Sequence, residues 1–173
     1  MEEKLLNHTP IFDLVEKQDD GRIGFNPVGI NSPDWVTVIV EFEGEWLMVK
    51  QLRYGLMKNC EEFCCGMVEP NEDPRIAAQR ELREETGYEV SLNHIAYIGK
   101  FAANPAFMNN YMHYFYVNMD KIELVKLNPK FDPHEKLETY WKSKELVIVD
   151  YLHGSSSVFM AGALLLLKTY NLM

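Results

Sequence analysis

The sequence predicts an α/β fold in which helices cover a curved, mostly antiparallel or mixed β-sheet. Three observations carry this. First, β-prone runs in the first half are punctuated by Asp-Gly and Glu-Gly turn signals. Second, one stretch near the middle is bracketed by an N-cap, a first-turn proline and a C-terminal glycine, the punctuation of a helix. Third, strands and helices alternate through the second half with no repeat, low-complexity segment or linker. All 173 residues, 1–173, are therefore assigned to one domain.

The elements follow in order. Residues 11–17 and 22–30 flank Asp19, Asp20 and Gly21 and read as a hairpin, which makes residues 1–32 an N-terminal β-hairpin extension. Residues 35–42 and 46–53 repeat the pattern around Glu43, Gly44 and Glu45. A short extended piece at 62–65 meets Gly66. Asp73 then offers an N-cap and Pro74 a first-turn residue, and Gly87 stops the helix expected over 74–86. Strands at 95–101 and 111–118 enclose the loop 102–110. A polar stretch, 126–136, precedes a last short strand at 137–141. Ser143 caps a helix to about 152, and the serines 155–157 cap a final one reaching 170.

Composition excludes several functions. The hydrophobic fraction of 47% and charged fraction of 25% are ordinary for a globular chain and argue against disorder or a disulfide scaffold. Lys and Arg number 17 against 26 Asp and Glu, and the net charge of −9 opposes nucleic acid and anionic membrane as partners. A polyanionic ligand would need a metal beside it. Cys60, Cys64 and Cys65 are an odd number in one short stretch, which suits reduced thiols in a cytoplasmic protein. The N-terminus lacks the basic and apolar regions of a signal peptide, and the apolar stretch 158–167 falls short of the roughly 20 residues that span a bilayer.

The chemistry concentrates in residues 66–88. Glu81, Glu84 and Glu85 stand at i, i+3 and i+4 of the expected helix, so three carboxylates share an arc of about 100°. Like charges at these spacings cost roughly 0.2–0.5 kcal/mol per pair unless a cation faces them. Hard oxygen donors select Mg²⁺, Mn²⁺ or Ca²⁺. The alternative is a solvated acidic face neutralised by Arg80 and Arg83. Against it, the carboxylates lie beside the Ala77, Ala78 and Leu82 surface, and the nearby Gly66 lets backbone approach a ligand closely.

Gly66, Glu72, and then Arg80, Glu81, Leu82, Arg83, Glu84, Glu85, Thr86, Gly87 and Tyr88, at these spacings, resemble the Nudix box, the signature of hydrolases of nucleoside diphosphates linked to another moiety. Tyr88 departs from it, standing where an aliphatic residue is usual. The resemblance implies the Nudix fold, a mixed β-sheet sandwiched between helices. It implies Mg²⁺, with Mn²⁺ as a substitute, ligated by Glu81, Glu84 and Glu85 with help from the Cys65 carbonyl; Glu84 and Glu85 are also catalytic. Glu72 and Arg80 would pair to hold the loop, with Gly66 and Gly87 as structural supports.

Residues 49–54 and 61–66 further resemble the ADP-ribose and nucleotide-sugar pyrophosphatase branch. Cys64 and Cys65 replace that branch's Pro-Ala pair, and no acid follows Pro105 in Met108, Asn109 and Asn110. The branch implies that Arg53, Pro105 and Phe107 contact substrate. It also implies a homodimer built through the N-terminal extension. The expected activity is cleavage of the pyrophosphate of ADP-ribose or another nucleotide sugar into a nucleoside monophosphate and a sugar phosphate. Other readings are a Nudix hydrolase of a dinucleoside polyphosphate or modified nucleoside triphosphate, and a non-catalytic nucleotide-sugar sensor. For the general base, Asp132, Glu135 and Glu138 precede or open the last strand. Glu135, in the more flexible part, is the expected base, with Glu138 the competitor.

Overall fold

The computed structural model describes residues 3–123, 125–129, 137–153 and 157–173. Its centre is β4 (Trp35–Phe42), which alternates Val36, Val38 and Val40 toward one layer and Ile39 toward the other, so that both faces are buried. Glu43 (φ 49°) and Gly44 (φ 79°) turn the chain into β5 (Glu45–Arg53), the paired positive φ angles that match a two-residue hairpin to strand twist. The two strands then diverge. β6 (Lys58–Glu62) pairs with β5, and β7 (Cys64–Met67) crosses to pair with β4.

On the far side of β4 lies β10 (Tyr111–Asn118), in parallel register from Met112 opposite Trp35 to Asn118 opposite Glu41. β9 (Ala96–Ala102) borders β10, and β12 (Glu138–Ser143) borders β5. The result is a mixed seven-stranded sheet with the path β12-β5-β4-β10-β9. Helix α1 (Pro74–Thr86) covers one face through Ala77, Ala78 and Leu82, all fully buried against Val36, Val38, Phe115 and Val117. α2 (Lys144–Leu152) and α3 (Val158–Thr169) cover the other, where Val147, Met160, Ala163 and Leu167 meet Ile39, Trp46, Met112 and Tyr114. Among the described residues no helix is long and apolar enough to cross a membrane.

Several sequence expectations are corrected. The expected hairpin is present as β2 (Asp13–Lys17) paired antiparallel with β3 (Val28–Asn31), but β1 (Glu3–His8) adds a third strand to the N-terminal extension. Residues 18–27 form a loop because the Asp19 carboxylate accepts the N–H groups of Ile23 and Gly24, which spends the Asp-Gly region on a local turn. The extended piece at 62–65 is the junction of β6 and β7. A small antiparallel pair, β8 (Tyr88–Glu89) with β11 (Val125–Lys126), carries no alternation that announces it. The last helix begins at Val158 with Ser157 as N-cap, yet the Ser157 hydroxyl makes no cap bond.

Candidate active site

Helix α1 is fixed at both ends by local chemistry. The Asp73 carboxylate accepts the Arg75 N–H at 2.8 Å, Pro74 occupies the first turn, and Gly87 closes the helix at φ 78° with its N–H on the Arg83 carbonyl at 2.9 Å. With the Ala77, Ala78 and Leu82 stripe pressed on the sheet, helical periodicity carries Glu81, Glu84 and Glu85 to the flank facing β7 and the loop after it.

There the three carboxylates meet different partners. Glu85 is only 6% exposed, and its Oε2 accepts the Cys65 backbone N–H at 3.2 Å. Glu81 lies directly over Gly66, where any Cβ would collide with its carboxylate, so glycine is required for this approach. Glu84 stands further out, 35% exposed. Arg80 ties the group to the loop. Its Nε and Nη2 donate to Glu72 at 3.0 and 2.9 Å, Nη2 also to the Met67 carbonyl at 2.8 Å, and Nη1 to Glu81 at 2.7 Å and Glu84 at 3.3 Å. The Arg80 guanidinium holds the Glu72 carboxyl below the usual carboxylate range, and Glu72 and Glu81 hold Arg80 above its own. Arg80 thus supplies part of the positive charge that three adjacent carboxylates need, while Arg83 is exposed.

Arg53, at the end of β5, reaches this group through Cys65. Its guanidinium donates to Glu62 at 2.7 Å and to the Cys65 sulfur at 2.9 Å. Burial works against the charge of Arg53, but Cys65 and Glu62 outweigh it and raise its pKa. Burial likewise pushes the Cys65 thiol up, more than Arg53 draws it down.

The donor set fits a hard divalent cation. Carboxylate oxygens of three glutamates stand on one flank, with backbone brought close by Gly66, and oxygen donors of this kind suit a hard cation. Among the described residues, no group of three or more His, Cys, Asp or Glu side chains already converges into a cage. Arg80 takes one oxygen each of Glu81 and Glu84, and a carboxylate can bind a guanidinium and a cation together.

Residues 31–158 match the NUDIX domain. The chain belongs to the Nudix family. It is 38% identical over 87 residues to a methanol dehydrogenase activator of Bacillus methanolicus, covering 50% of this chain and 46% of that protein. It is 32% identical over 110 residues to an ADP-ribose pyrophosphatase of Bacillus subtilis, covering 63% and 57%. The chain thus spans about half the length of these curated relatives. The crystal structure of an ADP compounds hydrolase superposes with a TM-score of 0.79 at 17% identity, covering 98% of this chain and 91% of that one, and shares the fold.

The Nudix box residues Gly66, Glu72, Arg80, Glu81, Glu84, Glu85 and Gly87 thus gather at the α1–β7 junction, with Cys65 and Arg53 beside them. Pro105 and Phe107 lie outside this constellation, exposed on the loop between β9 and β10. That loop is stitched to the N-terminal sheet: Ile30 N–H donates to the Phe107 carbonyl at 2.7 Å, and Asn109 N–H to the Ile30 carbonyl at 3.3 Å. Glu138 opens β12 as an exposed side chain 4.0 Å from Lys50, and Glu135 is outside the described residues. Sequence reasoning missed Glu62 as the partner of Arg53, because the strand β6 that delivers it carries no clear alternation. It also missed Asp34, which accepts the Tyr111 N–H and pairs with the buried His113, both at 2.8 Å, and so anchors the start of β10 to β4.

Proposed function

We propose that this Nudix chain is a divalent-metal-dependent pyrophosphohydrolase of a nucleoside diphosphate derivative, ADP-ribose or another nucleotide sugar, releasing a nucleoside monophosphate and a sugar phosphate. The observation that supports it is one juxtaposition: buried Glu85 on the Cys65 amide, Glu81 over Gly66, and Glu84 beside them on the same helix flank. Glu81, Glu84, Glu85 and the Cys65 carbonyl would hold Mg²⁺ or Mn²⁺. When bound, such an ion neutralises charge developing on the diphosphate and lowers the pKa of a bound water.

The chain's own residues supply the rest. Arg80 and Glu72 keep the loop after β7 against α1, which fixes where the carboxylates stand. Arg53 offers the N–H groups of its Nη1 to a phosphate oxygen, while Nε and Nη2 stay on Glu62 and Cys65. Pro105 and Phe107 line the substrate from the loop bonded to β3. Glu135, or Glu138, takes the proton of the attacking water. The relative named as an ADP-ribose pyrophosphatase supports the substrate class. Exposed Leu5, Ile11, Phe12 and Phe25, on the strands and loops of the N-terminal extension, support a homodimer, and three free cysteines support a cytoplasmic setting.

The test is hydrolysis of a panel of nucleotide sugars, dinucleoside polyphosphates and modified nucleoside triphosphates with Mg²⁺ or Mn²⁺, the products identified by mass. Preferred cleavage of a nucleotide sugar is expected. Preferred cleavage of another class replaces the substrate assignment, and tight binding of ADP-ribose without cleavage makes the chain a sensor.

A further inference from the structure

Cys65 touches the candidate site twice. Its backbone N–H donates to Glu85, and its sulfur accepts Nη2 of Arg53 at 2.9 Å. Glu62, whose side chain is 7% exposed, takes Nε and Nη2 of the same guanidinium at 2.7 Å. The Arg53 guanidinium also stands 6.0 Å from the Trp35 ring. Among the described residues these bonds engage Nε and Nη2, not Nη1. A planar fork held at two of its nitrogens has one orientation, and its third nitrogen then points in one direction.

We propose that the Cys65 thiol is a positioning residue, whose sulfur holds the Arg53 guanidinium so that its Nη1 edge meets the diphosphate of a substrate bound at Glu81, Glu84 and Glu85. This rests on the pyrophosphohydrolase reading. Glu62 alone leaves one N–H of Nη2 without this acceptor and lets the guanidinium pivot about the carboxylate. The sulfur removes that freedom.

The test compares Cys65→Ala, Cys65→Ser, Arg53→Ala and the double variant Arg53→Ala/Cys65→Ala in steady-state hydrolysis of ADP-ribose with Mg²⁺. Cys65→Ala is expected to raise KM roughly tenfold while kcat changes by less than about twofold. Cys65→Ser, which keeps an acceptor, recovers most of the affinity. In the Arg53→Ala background the Cys65→Ala change adds nothing, as two residues acting through one contact require. An unchanged KM in Cys65→Ala overturns the proposal, as does a fall in kcat alone or a penalty of equal size without Arg53. Should the wild type leave ADP-ribose uncleaved, the substrate reading fails separately, and calorimetric binding of inorganic pyrophosphate with Mg²⁺ carries the comparison. Weaker binding by Cys65→Ala than by the wild type and Cys65→Ser then upholds the positioning role. Equal binding, or none by any of them, overturns it.

Discussion

Replacing Arg80 with methionine keeps an unbranched stem as far as the position of Nε and removes the guanidinium that joins Glu72, Glu81, Glu84 and the Met67 carbonyl. The side chains concerned are mostly buried: Arg80 is 20% exposed, Glu72 12% and Glu81 14%. Removing one partner of a buried pair costs about 3–5 kcal/mol because the other charge is stranded. Water reaches Glu84 and the edge of Glu72, so the lower end applies, about 3 kcal/mol. In a chain of this size that lowers Tm by roughly 6–12 °C. The difference depends on pH. Glu72 has a depressed pKa in the folded state, so its contribution is fully present above its ordinary 4.5 and is lost as pH falls through the lower folded value. Thermal unfolding of the wild type and Arg80→Met between pH 3 and pH 7 is the assay, repeated with EDTA and with Mg²⁺. The gap between the proteins should be widest near neutrality and should narrow in acid. Mg²⁺ should restore more stability to the variant than to the wild type, because it meets carboxylates no longer paired with Arg80. A loss below about 1 kcal/mol at pH 7, or a gap that widens as pH falls, would refute the clamp.

Other substitutions separate the remaining roles. Glu85→Gln should keep the fold, since the amide oxygen still accepts the Cys65 N–H, but lose most activity; turnover at the wild-type level with unchanged Mg²⁺ dependence would remove Glu85 from the site. Glu135→Gln should lower kcat by about 10²–10⁴ with metal affinity nearly unchanged, and a large loss in Glu138→Gln instead would transfer the role of base. Light scattering at micromolar concentration should return twice the chain mass of 20.2 kDa; a monomer would reject the dimer and leave the apolar residues of the N-terminal sheet to another explanation.

What could be read directly from the chain is what residues a few positions apart decide. Asp73, Pro74 and Gly87 bound α1 because capping uses a side chain and an amide within the same turn. Glu43 and Gly44 place a hairpin because two positive φ angles in sequence suffice. The spacing of Glu81, Glu84 and Glu85 puts carboxylates together whatever the rest of the chain does. Strand partners are a different matter. The alternation in β4 and β10 makes both into strands, yet it does not say that they run parallel as neighbours, nor that β6 and β7 divide between β5 and β4.

The helix, its caps, its three carboxylates and the Nudix signature were therefore determined by the sequence itself, through backbone propensity and spacing along a single turn. The pairing of Arg80 with Glu72 was expected from the box; tertiary structure alone decided that β6 brings Glu62 to Arg53, that Cys65 turns its sulfur to Arg53 and its amide to Glu85, and that the loop bearing Phe107 is tied to β3. The first of those contacts join residues within about twenty positions of each other, but they cross between elements, and others span much more of the chain, such as that of His113 and Asp34, 79 positions from each other. The physical reason is that such partners are selected by burial of the whole sheet and by satisfaction of its polar groups, a global competition that no local pattern records.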